Sequence, residues 1–125
     1  MYNTTLLDHF QNPRNVGELS SPAVTVEVTN PACGDVLRLS AAVVEGRVEQ
    51  VKYKARGCTA SIAAGSALTE LLTGRDRTAL GQVDAKAVED AVGGLSPESR
   101  HAAVLCADSV RALFKRLIQC HTVSE

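Results

Sequence analysis

The fold of this chain is decided by residues 37–55, which read LRLSAAVVEGRVEQVKYKA. Apolar side chains recur at every second position from Leu37 to Val43, and again from Val51 to Ala55. A period of two residues is typical of a strand with one buried face. Between the two runs lies the segment 44–47, a compact turn that contains a glycine. We therefore predict an antiparallel hairpin.

The segment before the hairpin adds a third strand and a helix. Residues 24–28 carry valine at every second position, and we predict a strand there. Further towards the N-terminus, residues 2–10 have the apolar spacing of a short helix, and Asn12-Pro13 ends it because proline disfavours helical geometry in the preceding residue. The three strands predict a small antiparallel sheet with one solvent-exposed face.

The period changes after Gly57. Small apolar residues then recur at spacings of three and four, which predicts a helix that ends at Gly74 and can approach the sheet closely. One or two further short helices precede Gly93. Ser96-Pro97 supplies an N-cap and a proline for the first helical position, so the last helix is predicted from there to about Gln119. The sequence therefore predicts an α+β fold, with a three-stranded antiparallel sheet packed by helices and a long C-terminal helix.

Length and composition exclude several classes of protein. A chain of 125 residues predicts one domain, spanning 1–125, and its 45% hydrophobic and 22% charged residues are ordinary for a globular protein. A net charge of −1 with few aromatic residues provides neither an attractive field nor a stacking platform for nucleic acid. The N-terminus lacks a signal-peptide pattern, and no apolar run approaches the ~20 residues that span a bilayer. We therefore expect a cytoplasmic protein with reduced thiols and with neither nucleic-acid nor membrane partners.

Two of the four cysteines lie in positions that favour a functional role. Cys33 lies in a polar turn between two predicted strands, two residues before Asp35, whose carboxylate can reach the same point. Cys58 follows Gly57 at the junction of a strand and a helix. Unpaired N–H groups at a helix N-terminus stabilise a thiolate and favour metal binding or nucleophilic attack. Packing of a small side chain is the structural alternative at both positions.

The other two cysteines belong to the predicted last helix. Cys106 lies in the centre of its apolar stripe, where a cysteine also serves as a small core residue, so spacing alone leaves its role open. Cys120 lies about 21 Å further along the same helix and is not expected to share a site with Cys106. His101 lies about 140° around that helix from Cys106, so it is not expected in the site either; it could join only if the helix started later than Ser96-Pro97 implies.

Three segments carry a resemblance to a known family. Residues 8–17 read DHFQNPRNVG, residues 31–35 read PACGD, and residues 57–63 read GCTASIA. In this order they resemble the N-terminal signature and the first two ligand motifs of the IscU and NifU N-terminal family of iron–sulfur assembly scaffolds. Leu105-Cys106 lies where the family's third cysteine is expected. The resemblance covers essentially the whole chain.

This resemblance implies a site and a function. Cys33, Asp35, Cys58 and Cys106 are expected to converge at one exposed tip as metal ligands. The family's members receive sulfur from a cysteine desulfurase, bind iron, hold a transient [2Fe–2S] cluster and pass it to apo-proteins. That role is a carrier's and not an enzyme's, and zinc is a further candidate metal. Which of Cys33, Cys58 and Cys106 would accept a persulfide stays open.

The chain departs from the family pattern at two points. Scaffolds of this family usually carry a histidine immediately before the third cysteine, where this chain has Leu105, so the fourth ligand falls to Asp35, a partner residue or an exogenous thiol. The proline-rich segment that such scaffolds offer to a dedicated chaperone is not recognisable in residues 95–104, so we do not expect chaperone-dependent transfer.

A second branch of the family provides the alternative function. The SufU-type branch binds zinc through three cysteines and an aspartate, and acts as a sulfurtransferase that relays persulfide sulfur from the desulfurase. It also lacks the histidine. It carries a long insertion between the second and third cysteines, for which the segment between Cys58 and Cys106 is too short.

Overall fold

In the part of the chain that the structure describes, one sheet and five helices follow one another in the order that the sequence predicts. A computed structural model describes residues 2–31 and 33–124, with side chains as far as Leu117. The elements are α1 (Thr4–Gln11), β1 (Val24–Thr29), β2 (Val36–Val44), β3 (Arg47–Arg56), α2 (Thr59–Leu72), α3 (Arg77–Leu80), α4 (Ala85–Ala91), a 3₁₀ turn (Pro97–Ser99) and α5 (His101–Ser124). Among the described residues, no helix is long and apolar enough to cross a membrane.

The sheet has the strand order β1-β2-β3, and both pairs of strands are antiparallel. Leu39 of β2 lies opposite Val26 of β1 and Tyr53 of β3, and all three side chains are buried. Helix α2 packs on β3, while α5 packs on β1 and β2. This arrangement confirms the predicted α+β fold, in which helices cover one face of a three-stranded sheet.

The N-terminal segment is fastened to α2 and to the outer edge of β3. Gly17 N–H donates to Tyr53 O at 2.8 Å, and Tyr53 N–H donates to Asn15 O at 2.9 Å, so this loop pairs with part of the edge strand. Ser66 Oγ of α2 lies 2.8 Å from His9 Nδ1 and accepts from the Arg14 N–H at 2.9 Å. These bonds cover a strand edge that would otherwise expose unpaired backbone groups.

The last helix begins later than the sequence predicts. The Ser96 side chain makes no capping hydrogen bond, and Pro97–Ser99 forms a separate 3₁₀ turn. Helix α5 starts at His101, where the N–H of Ala103 donates to Arg100 O at 3.1 Å. The prediction of a helix from Ser96-Pro97 is therefore wrong, and His101 lies in the first turn of α5 instead of its body.

Helix α2 lies so close to the sheet that only a small residue fits at the contact. A Cβ on Gly65 would lie 2.5 Å from Tyr53 Cε2. Replacing a helical glycine by alanine normally stabilises by about 1 kcal/mol, whereas overpacking a core costs about 1–3 kcal/mol. We therefore expect Gly65→Ala to lower the free energy of unfolding in urea by about 1 kcal/mol. Gly81→Ala is the control, because its φ is −66° and the nearest atom lies at 3.5 Å. Equal free energies of unfolding for Gly65→Ala and Gly81→Ala would contradict the close packing of α2 against Tyr53.

Candidate metal centre

The first part of the site is the turn between β1 and β2. Gly34 has a φ of +77°, in the left-handed region that favours glycine, and its N–H donates to Asn30 O at 2.7 Å. The N–H of Asn30 in turn donates to Asp35 O at 2.8 Å. The turn leaves Cys33 exposed and buries the Asp35 side chain at its base.

The carboxylate of Asp35 lies on the N-terminus of α2. Its Oδ2 accepts from Ser61 Oγ at 2.7 Å and from the Cys58 backbone N–H at 3.3 Å. Cys58 is the N-cap residue, and its own side chain makes no capping hydrogen bond, so Asp35 serves as the cap from another element. Gly57 permits this, because a Cβ there would lie 2.5 Å from Asp35 Oδ1 and its φ of +151° disfavours other residues.

These contacts keep the carboxyl group ionised. Burial alone would raise the pKa of Asp35. The hydrogen bonds from Ser61 and from the Cys58 backbone stabilise the charged form, and the pKa of Asp35 lies below its ordinary value. Asp35 is therefore an anionic oxygen donor at neutral pH.

His101 joins this group from the start of α5. Its Nε2 lies 3.5 Å from Cys58 Sγ and 3.7 Å from Asp35 Oδ2. Its Nδ1 lies 3.0 Å from the carbonyl oxygen of Glu98. Because a carbonyl only accepts, Nδ1 donates to it, and Nε2 is the ring nitrogen that faces the thiol and the carboxylate. A backbone carbonyl on the far nitrogen is a common support for a metal-binding histidine.

The structure brings together a set of donors that differs from the predicted one. One donor atom each from Cys33, Asp35 and His101 lie within 4.8 Å of one another, and Cys58 contacts this group through its Sγ. The sequence interpretation that kept His101 out is thus corrected. That interpretation placed His101 inside a helix that began at Ser96-Pro97, whereas α5 begins at His101 itself.

Cys106 is not among the donors that gather at this site. Its side chain is 1% exposed within the hydrophobic core, and burial raises the pKa of its thiol to about 12. Thiolates, and not thiols, bind metals, so this environment opposes ligation by Cys106. The structure therefore does not bring Cys106 to the site, contrary to the expectation. The side chain of Cys120 falls outside the described residues, and its exclusion stays a prediction.

The donor set suits a transition metal. Two thiols, an imidazole and a carboxylate are ligands that zinc and iron accept, and thiolates are the ordinary ligands of iron–sulfur clusters. Cys33, Asp35, Cys58 and His101 would supply one donor atom each, which is the number that a tetrahedral ion requires. The residues present therefore fit a bound metal.

Sequence reasoning missed Ser61 and the role of Gly57. Ser61 is buried, donates to Asp35 Oδ2 and lies 3.4 Å from Cys58 Sγ. The available signal was a polar residue three positions after the N-cap residue of a helix, where side chains commonly return to the helix start. Gly57 carried a signal too, since a glycine between a strand and a helix indicates a close approach.

Comparison with known proteins identifies the family. The chain matches the NifU-like N-terminal domain over residues 1–119. It belongs to this family.

Relatives of the NifU-like N-terminal domain family match most of the chain. The iron–sulfur cluster assembly scaffold protein IscU 1 of Archaeoglobus fulgidus is 38% identical over 111 residues, which are 89% of this chain and 72% of that protein. The bifunctional protein NifU/MnmA of Rubrobacter xylanophilus is 40% identical over 116 residues, 91% of this chain, but the match spans only 24% of that longer protein.

A solved structure supports the fold. The crystal structure of a candidate iron–sulfur cluster assembly scaffold protein for the SUF system, from Fervidobacterium islandicum, superposes with a TM-score of 0.77. It covers 90% of this chain and 96% of that one at 17% sequence identity. This similarity concerns the fold alone.

The family pattern has a histidine immediately before the third cysteine, and the structure shows which histidine of this chain lies at the site. Leu105, which precedes Cys106, is buried in the core, whereas His101 contacts Cys58 at the site. The histidine of this site is therefore His101. The residue that follows it is Ala102, and the next cysteine, Cys106, comes one helical turn later. The described site of this NifU-like domain therefore contains two thiols, not three.

The close approach of Asp35 to the backbone at Gly57 can be tested by adding one methyl group. We expect Gly57→Ala to displace the carboxylate, to lower the free energy of unfolding by about 1–3 kcal/mol and to weaken zinc binding. Gly46→Ala is the control, because its φ is also positive, at +79°, but no heavy atom lies within 4 Å of its Cβ position. Calorimetric zinc titration and urea unfolding measure both effects. Similar zinc affinities in the two variants would contradict the role of Gly57.

The three described cysteines should differ in reactivity. With Cys120 replaced by serine, we expect iodoacetamide to modify the exposed Cys33 fastest, the half-buried Cys58 more slowly, and Cys106 only after unfolding in urea. Peptide mass spectrometry at timed intervals measures the three rates. Modification of native Cys106 as fast as Cys33 would mean that Cys106 belongs to the exposed site after all.

Proposed function

We propose that this chain is an iron–sulfur cluster assembly scaffold that receives sulfur from a cysteine desulfurase, binds iron, holds a transient [2Fe–2S] cluster and passes it to apo-proteins. The observation that carries the proposal is the meeting of Cys33, Asp35, Cys58 and His101 at one end of the sheet. The scaffold names of several relatives support it.

The donor types agree with a temporary cargo. Two thiolates bind iron strongly, while a carboxylate is a harder and weaker ligand for a cluster. An exposed turn carries Cys33, so one ligand is accessible to a partner protein. The site thus combines two strong thiolate ligands, one of them accessible at Cys33, with a weaker carboxylate ligand at Asp35 that a recipient can displace.

Cys33 is the sulfur acceptor in this proposal, and Cys106 is not. The Cys33 thiolate attacks the outer sulfur of the desulfurase persulfide, a new S–S bond forms on Cys33, and the desulfurase cysteine leaves as a thiolate. This attack requires access, which Cys33 has. Cys106 is buried and its pKa of about 12 leaves it protonated at neutral pH.

The partners follow from this chemistry. A cysteine desulfurase delivers the sulfur, and apo iron–sulfur proteins accept the cluster. We propose that these exchanges occur in the cytoplasm. We also propose that they need no dedicated chaperone, because residues 95–104 lack the proline-rich segment that a chaperone would bind. The proposed transfer steps require neither nucleic acid nor a membrane.

A zinc-bound sulfur relay is the second candidate, and the observed distances favour it. Zinc bonds of about 2.0–2.3 Å at tetrahedral angles place sulfur about 3.6 Å from nitrogen and nitrogen about 3.4 Å from oxygen. Cys58 Sγ lies 3.5 Å from His101 Nε2, which lies 3.7 Å from Asp35 Oδ2. The site as folded therefore has the dimensions of a mononuclear centre. In this case the chain would be a sulfurtransferase.

One experiment separates the two candidates. The chain is purified without oxygen, its metal content is measured, and visible absorption is recorded before and after adding cysteine desulfurase, cysteine, ferrous iron and a thiol reductant. A chromophore that requires both iron and the sulfur source supports the scaffold. One tightly bound zinc per chain, with faster turnover of the desulfurase and no chromophore, supports the relay. Neither metal nor chromophore would refute both.

The same assay tests the donor set. We expect His101→Ala to reduce bound metal or cluster by about tenfold or more, because it removes a ligand, whereas Cys106→Ala should leave metal content within twofold of the wild type. Both variants are checked for folding by circular dichroism. Loss of metal in Cys106→Ala but not in His101→Ala would restore the three-cysteine set that the family pattern implies.

A further inference from the structure

We propose that Ser61 is a positioning residue of the metal centre, which fixes the Asp35 carboxylate in the orientation that binds metal. The inference rests on the proposed function, since it concerns how the same site holds its cargo. Ser61 itself is not one of the four donors, and it acts through Asp35.

The hydroxyl of Ser61 has only one arrangement that satisfies its neighbours. A serine oxygen carries one hydrogen and accepts through its lone pairs. Ser61 Oγ donates to Asp35 Oδ2 at 2.7 Å, so the hydrogen of Ser61 points to Asp35. The side of Ser61 Oγ that faces Cys58 Sγ, at 3.4 Å, is therefore a lone pair. One hydroxyl thus contacts two of the four donor residues.

Ser61 makes a shorter hydrogen bond to Asp35 than the Cys58 backbone does. The Cys58 N–H lies further away, at 3.3 Å from the same oxygen. The oxygen that Ser61 holds is also the one that lies 3.7 Å from His101 Nε2, so its direction decides whether Asp35 and His101 face a common point. Without Ser61, the carboxylate would lose its 2.7 Å hydrogen bond and could rotate more freely about its side-chain torsions.

The place of Ser61 in the fold makes it suitable for this role. It lies in the first turn of α2 and is 2% exposed, so packing restricts its rotamer. Hydrogen-bond partners of metal-binding carboxylates orient the ligand, and their loss typically weakens metal binding by about 10–100-fold. A site supported by a helix is more accurately held than one that depends on a turn alone.

The test uses Co²⁺ as the probe, because its visible bands report both affinity and coordination. We expect Ser61→Ala to weaken Co²⁺ binding about tenfold and to change the ligand-field bands. Ser109→Ala is the matched control: its hydroxyl is fully buried too, but donates to Leu105 O within α5 at 2.9 Å. It should bind Co²⁺ as the wild type does.

Two further comparisons isolate the hydroxyl and its route of action. Thr and Val have the same shape and differ by the hydroxyl, so Ser61→Thr should bind Co²⁺ more tightly than Ser61→Val by a similar factor, even if Ser61→Ala does not fold. In a chain that already carries Asp35→Asn, adding Ser61→Ala should change the affinity less than twofold, because the carboxylate on which Ser61 acts is gone.

The outcomes distinguish this inference from the proposed function. If the wild type takes up no Co²⁺, the metal centre itself is refuted and the role of Ser61 with it. If the wild type binds but Ser61→Ala binds equally well, only the positioning role fails. An equal loss with and without Asp35→Asn would also overturn it, since Ser61 would then act on the fold and not through Asp35.

Discussion

The site depends on the hydrogen bonds between the Asp35 carboxylate and the N-terminus of α2. They join the turn that carries Cys33 to the helix end that carries Cys58, although the two segments are distant in sequence. The contact requires a residue without a Cβ at Gly57 and a donor at Ser61. The buried charge is tolerated because hydrogen bonds and the positive end of a helix replace the lost water.

The fold could be predicted from local patterns because each element carries its own period. The valines of β1 and the alternation across the hairpin are repeats within single segments, and Gly57 marks the change to helical spacing. The pairing of the N-terminal loop with β3 could not be predicted in this way. It depends on single backbone bonds to Tyr53 and on the Ser66 hydroxyl, which leave no periodic trace in the sequence.

The site was predicted only where its residues are defined locally. Cys33, Asp35 and Cys58 lie beside glycines in a turn and at a helix start, and those signals are short-range. His101 was left out because of a helix start that the sequence placed too early, whereas Cys106 was included on the family resemblance, since its spacing left its role open. Ser96-Pro97 is a sound start signal, but it begins a 3₁₀ turn, and His101 lies in the first turn of α5 with its Nε2 3.7 Å from Asp35 Oδ2. An error of one turn was sufficient to leave out the imidazole at the site, whereas the core thiol was included because it lies where the family's third cysteine is expected.

The exchange of a thiol for an imidazole has chemical consequences for any cargo. A thiolate donates more charge to iron than a neutral histidine does, and in clusters where histidines replace cysteines the reduction potential is higher. A site with two thiolates, His101 and Asp35 therefore carries less negative charge than a site with three thiolates and a carboxylate. The same substitution brings the donor set closer to that of a zinc centre. Neither Ala102 nor Cys106 supplies a third thiolate to the site, so both candidate functions depend on two thiolates, an imidazole and a carboxylate.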